Sequence, residues 1–367
     1  MTTTQNLSRM TLLAAFLGSA SAMAGNSIQV NVDVQPMENG NVSATVHFTN
    51  TTNKTQKILG WYTNLEEEHI FHITRDGEEV EFQGPHYKRP APQDSDYIKL
   101  KAGETLSKTF ELTSYYDFSQ PGNYEVSYSV RSLSLFNHTL VDPRSVVSVA
   151  PTKSSTSMLQ SSTQSIWFDG MPMVFDKQST SAKGGKGGGS EDCVGGTCFT
   201  GRCDNAQKSD ILSALNAADQ ITNDSVAYLS SHSANTSGTR YNTWFGASTS
   251  SRYSTITANF NAINDAIDNK PLTFDCSCKQ SYFAYVYPNQ PYKVYLCKAF
   301  WSANELGTDS RAGTIVHELS HFNAVAGTDD IVYGQAGAKN LAISDPAQAI
   351  QNADSHEYFA ENTPYQN

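Results

Sequence analysis

No cysteine precedes residue 193, and only six occur in the whole chain. The first half is thereby excluded from any disulfide. Basic residues are also scarce, with 25 Lys and Arg against 36 Asp and Glu and a formal net charge of −11. A phosphate-binding surface needs a basic excess, so nucleic acid is excluded as the main partner. Past residue 24 no apolar run approaches the roughly 20 residues that a transmembrane helix requires. There is no long block of like charge and no internal repeat. What remains is a chain of 367 residues, long enough for two domains that each bury a core.

The opening 24 residues have the pattern of a secretory signal. Arg9 gives a weakly positive start, MTLLAAFLGSA is apolar but too short to span a bilayer, and Ala22-Met23-Ala24 offers a small-x-small cleavage site. A secreted, extracellular protein is expected. The six cysteines, all between Cys193 and Cys297, are expected as disulfides in that oxidising setting. Cys276 and Cys278 are expected to pair with different partners.

From residue 25 to about 150, segments such as SIQVNVDV, NVSATVHFTN and GNYEVSYSVRSL alternate apolar and polar residues between turn-forming clusters. Strands without intervening helical periodicity predict an all-β, sandwich-like domain. Its His47, His69, His72 and His86 show no ligand spacing on a recognisable element, and His69 and His72 are expected as strand or turn residues rather than a metal site. Residues 151–190 are rich in Ser, Thr, Gly and Lys, which predicts a flexible tether. An apolar island within it, IWFDGMPMVF at 166–175, is expected to dock on a neighbour across a cleft. From 191 to 367 helical spacing dominates, with Ile211, Leu215, Ala218 and Ile221 in one segment and Ile256, Phe260, Ile263 and Ile267 in another. The aromatic run YVYPNQPYKVYLCKAFW adds a small β element, and residues 282–287 can form an edge strand. The predicted class is α+β in two domains: a β-sandwich-like N-terminal domain and a mainly α C-terminal domain.

The stretch TIVHELSHFNAVAGTDDIVYG, residues 314–334, concentrates the chemistry. Residues 311–326 predict a helix ending at Gly327. His317 and His321 then lie one turn apart and can reach one ion. Glu318 stands where a carboxylate can take a proton from metal-bound water. A catalytic zinc needs a third protein ligand. Asp330 is a candidate, because Gly327 lets the chain turn back and an aspartate's short arm suits a nearby loop. Glu357 or Glu361, in NADSHEYFAEN, is the other. A closed structural site would need a fourth ligand, for which His356 is available.

HExxH followed by GTxDxxYG resembles the signature of the aspzincins, the deuterolysin-like zinc metalloendopeptidases. Within that family, YVYPNQPYKVYLCKAFW and NADSHEYFAEN are similar to the peptidyl-Lys metalloendopeptidases. The resemblance covers about residues 200–367 and implies a zincin-like catalytic domain. It implies one Zn2+ per chain on His317, His321 and Asp330, Glu318 as general base, and Tyr333 as donor to the developing oxyanion. It also implies Asp354, with Glu357 one turn on, as the carboxylates that receive a lysine after the cut bond. Asp329, the variable position, is expected as a turn residue. The implied disulfides are Cys203–Cys276 and Cys278–Cys297, which leaves Cys193 and Cys198 to close a local loop. The expected protein is a secreted monomeric endopeptidase acting on proteins and peptides at Xaa-Lys bonds. Its β domain would be an intramolecular inhibitory propeptide, released by self-cleavage near Lys177, Lys183 or Lys186. Two alternatives stay open: a gluzincin-type peptidase using Glu357 or Glu361, and a secreted non-catalytic binding protein with a structural zinc.

Overall fold

The structure, a computed structural model, describes residues 27–65, 68–132, 134–136, 157–170 and 192–367. The expected leader and the tether lysines Lys177, Lys183 and Lys186 lie outside the described residues.

The N-terminal half is built from antiparallel sheets. Strand Ile28–Pro36 pairs with Val42–Asn50, which pairs in turn with Thr105–Glu111. Ile28, Val30 and Val32 alternate inward along the first strand, the period-two pattern visible in the sequence. In the second sheet, Gly122–Ser132 carries Phe71–Arg75 and the successive strands Ser157–Gln160 and Gln164–Phe168. The two sheets enclose one core that includes Val46, Phe48, Phe71, Tyr124 and Tyr128.

Part of the expected tether is therefore sheet. Its Ser- and Thr-rich composition cannot fold alone, but the edge of Gly122–Ser132 supplies the ladder hydrogen bonds that it lacks. The described part of the apolar island closes the N-terminal core, with Phe168 against Phe118 and Tyr124. It spans no cleft, and residues 171–175 lie outside the described residues.

The C-terminal half carries α1 (Asn205–Ser231), α2 (Gly238–Phe245), α3 (Ser250–Asn269), α4 (Lys298–Ser302), α5 (Arg311–His321), α6 (Gly334–Ser344), α7 (Pro346–Ala349) and α8 (Ala353–Glu361). Asp204 and Gln207 form a reciprocal cap that starts α1. Ile211 and Ala218 on α1, and Ile256, Phe260 and Ile263 on α3, face the core, while Leu215, Ile221 and Ile267 pack at its margin.

A mixed sheet lies beside these helices in the order Asp192–Val194, Thr197–Thr200, Thr273–Asp275, Lys293–Leu296, Ala284–Val286, His86–Lys88. Its last strand comes from the N-terminal half, paired antiparallel on the edge at 284–286. The disulfides are Cys193–Cys198, Cys203–Cys276 and Cys278–Cys297.

Helix α5 stops at His321, five residues short of the expected end. Phe322 turns extended (φ −60°, ψ 129°) and its carbonyl accepts from the backbone N–H of Val325, Ala326 and Gly327. Gly327 takes a φ of +58°, which glycine tolerates without Cβ strain. The early exit brings Thr328 back beside His321.

Candidate metal centre

The Ser310 hydroxyl caps α5 by accepting from the Gly313 amide at 2.9 Å. Every residue from Ala312 to His321 is buried, so both histidines sit on a fully packed helix. A Cβ at Gly313 would collide with the Glu361 carboxylate, which explains the glycine there.

The Nε2 atoms of His317 and His321 are 3.1 Å apart. Asp330 Oδ1 lies 3.2 Å from the first and 3.5 Å from the second. The loop bearing Asp330 is pinned to the start of α8, since Asn352 Oδ1 accepts from the amides of Ile331 and Val332. His321 Nδ1 donates to the Thr328 carbonyl at 2.7 Å. His317 Nδ1 lies 3.0 Å from Asp354 Oδ1 and 3.2 Å from Glu357 Oε2. The Thr328 carbonyl thus engages His321 Nδ1, and the Asp354 and Glu357 carboxylates face His317 Nδ1, which leaves both Nε2 atoms turned into the cluster.

Burial opposes the charge on Asp330, yet the two imidazoles hold its carboxyl well below the usual carboxylate range. Burial likewise opposes charge on His317 and His321, and Asp330 raises both above the ordinary imidazole value. Burial pushes Glu318 up to about 7. Both carboxylate oxygens of Asp330 and both of Glu318 are buried without a hydrogen-bond donor. Such oxygens are costly unless a cation faces them. Two imidazole nitrogens and one carboxylate make a three-ligand donor set that suits zinc with an open position.

The alternatives are placed elsewhere. Glu361 accepts from the Ser310 amide and hydroxyl at 2.8 and 2.7 Å, so it secures the start of α5. Glu357 reaches only the far side of His317. His356 sits in the core between Phe245 and Phe260, donating to the Asn352 carbonyl and accepting from Asn259. The Asp329 side chain is half exposed, and its backbone bridges to the start of α8.

Behind His317 lies an acidic pocket, and a lysine fills it. Lys88 Nζ is 2.7 Å from Glu357 Oε2 and 3.3 Å from Asp309 Oδ1, with no exposed side-chain surface. The Phe283 ring lies 4.7 Å below the ammonium. Burial opposes that charge, but Glu357, Asp309 and Asp354 hold it above the ordinary lysine value. Asp354 contributes from further back, because its Oδ2 accepts from the Gly334 amide at 2.5 Å and its Oδ1 faces His317. Asp309 is the member that sequence reasoning missed. It is held at φ +53° and also accepts from the Tyr358 hydroxyl at 2.7 Å.

Tyr333 is tied to the N-terminal half, its hydroxyl donating to Glu68 Oε1 at 3.0 Å. Arg89 Nε donates to the same oxygen at 2.8 Å, and its guanidinium lies over the rings of Tyr282 and Trp61. Burial pushes Glu68 up to about 7 against the pull of Arg89. Glu68, His86, Lys88 and Arg89 carried no signal, since nothing in a short strand or its flanking loops says which sheet or site it will join. His86, which shows no ligand spacing in the sequence, lies on the strand paired with Ala284–Val286, facing His321.

The family model described as lysine-specific metallo-endopeptidase (aspzincin M35) matches residues 230–361. An extracellular protease of Aeromonas hydrophila is 45% identical over 365 residues, covering 97% of each chain. A peptidyl-Lys metalloendopeptidase of Armillaria mellea is 34% identical over 375 residues, covering 98% of each. A solved zinc peptidase from Grifola frondosa shares 48% identity, covers 45% of this chain and all of its own, and superposes with a TM-score of 0.43.

Proposed function

We infer, from the premise that this chain belongs to the aspzincin M35 family of zinc metalloendopeptidases, that it cuts the bond preceding lysine and that its N-terminal domain holds it latent. The observation that carries this reading is the buried Lys88 ammonium 2.7 Å from Glu357. The pocket accepts a lysine side chain, delivered on a strand that pairs with the sheet edge as an extended peptide substrate would.

His317, His321 and Asp330 would hold the zinc, which supplies an activated water and polarises the scissile carbonyl. Glu318 takes the water's proton and passes it to the leaving amine. A carboxyl tuned to about 7 is well matched to that exchange near neutral pH. Thr328 and Asp354 fix the two imidazoles. Glu357 and Asp309 receive the substrate ammonium. Tyr333 donates to the developing oxyanion once Glu68 has left with the N-terminal domain. Export through the leader at 1–24 and self-cleavage near Lys177, Lys183 or Lys186 complete the proposal. Among the described residues no helix is long and apolar enough to cross a membrane.

Two results test this reading. Mass-spectrometric mapping of an unfolded protein digested by the mature enzyme should yield new N-termini that are overwhelmingly lysine; a broad spread of residues at that position would overturn the preference. Tyr333→Phe should lower kcat by about 10²- to 10³-fold, the usual effect of deleting one oxyanion donor, with KM little changed. An equal loss spread into KM alone would place Tyr333 in substrate binding instead.

A further inference from the structure

Alternate side chains on an extended strand share a face. In the strand His86–Lys88 the register sets His86 opposite Val286, Tyr87 opposite Tyr285 and Lys88 opposite Ala284. Tyr87 packs on Tyr282 and Tyr285. His86 and Lys88 turn the other way, into the catalytic cleft. While Lys88 fills the acidic pocket, the His86 ring centroid comes to 4.9 Å from that of His321. One donor atom each from His86, His321 and Asp330 lie within 4.8 Å of one another. The His86 side chain is only 8% exposed. Its Nδ1 is 3.8 Å from Asp329 Oδ1, beyond hydrogen-bond reach.

We propose that His86 is a fourth protein ligand to the metal in the latent chain, closing a three-ligand catalytic site until the N-terminal domain departs. The proposal rests on the reading that His317, His321 and Asp330 hold the zinc. Donors around one tetrahedral zinc lie about 3.4 Å apart, so His86, already beside His321 and Asp330, must draw further inward to join the set. Lys88, locked two residues along, and the backbone ladder to the 284–286 edge limit the strand's freedom to move away. A catalytic zinc keeps one position open, whereas four protein ligands make a closed, structural-type site. The same short strand would therefore block the substrate's lysine pocket and remove the position at which the chemistry starts.

The test is X-ray absorption spectroscopy on the zinc-loaded, full-length Glu318→Gln chain, which stays uncut, beside the same chain also carrying His86→Ala. The expected result is three imidazole donors with His86 present and two without it, together with faster zinc release to a chelator from the His86→Ala chain. One zinc bound through only two imidazoles while His86 is intact overturns the fourth ligand and leaves the other three standing. Failure of the Glu318→Gln chain to bind zinc at all overturns both readings. If the His86→Ala chain does not fold, the donor count of the His86-containing chain still decides.

Discussion

Replacing Glu318 by glutamine is expected to leave zinc in place and reduce turnover by at least roughly 10²- to 10⁴-fold, the range for a lost general acid–base group. The reason is local. Glu318 is fully buried and both its oxygens lack a donor, so it holds no neighbouring side chain in position. The amide keeps its shape and removes only the ability to carry a proton. The full-length variant should accumulate as one polypeptide, and zinc analysis should match the wild type. A pure preparation that matures at the normal rate would refute self-processing, and a loss below tenfold would remove Glu318 from the proton transfer. A pH effect accompanies this. Burial raises the Glu318 carboxyl from 4.5 to about 7, so the folded state binds that proton more tightly than the unfolded chain. Its contribution to stability is present below 4.5 and lost as pH rises through about 7. In metal-free protein the glutamine variant should therefore gain on the wild type between pH 5 and pH 8 in denaturant midpoint.

The parts of this centre that could be read from the sequence are those fixed by short-range geometry. His317 and His321 share a helix face because four residues make about one turn. Asp330 comes back because α5 stops at His321 and the positive-φ Gly327 lets the chain that leaves it turn back. The choice between Asp330 and a later glutamate was not local. What bears on it is tertiary: Glu361 is engaged at the Ser310 cap, and Glu357 lies behind His317. Asp309 could not be read at all, for only the tertiary contact between the approach to α5 and α8 brings it to Glu357's pocket. The fold shows the same division. The periodic segment at 205–231 is α1 from end to end, and the alternating N-terminal segments are strands. Which sheet a strand joins is a different question. Ser157–Gln160 lacks the apolar content to declare itself, and His86–Lys88 is three residues long and joins a sheet of the other half. Both depend on an edge supplied from far away in the chain.

Lys88→Ala is expected to abolish most of the latency. The Lys88 ammonium is completely buried and faces Glu357 and Asp309, with Asp354 behind. Removing one partner of a buried ion pair leaves the other charge uncompensated and typically costs about 3–5 kcal/mol. At 1.4 kcal/mol per decade, docking of the strand should weaken by roughly 10²- to 10³-fold or more. Replacing Lys177, Lys183 and Lys186 by glutamine in both chains removes the proposed processing sites. Activity on a short Xaa-Lys peptide then reports docking alone, and the Lys88→Ala chain should be far more active than its Lys88 counterpart. Glu357→Gln should also loosen docking, while lowering kcat/KM for lysine substrates in the mature enzyme. If the two side chains act as a pair, the double variant will be less latent than either single one by much less than the sum of their effects. Full additivity would separate Lys88 from Glu357. Unchanged latency in Lys88→Ala would mean that the pocket's occupant is not what keeps the substrate out, and the Glu68–Tyr333 contact would have to carry the inhibition instead.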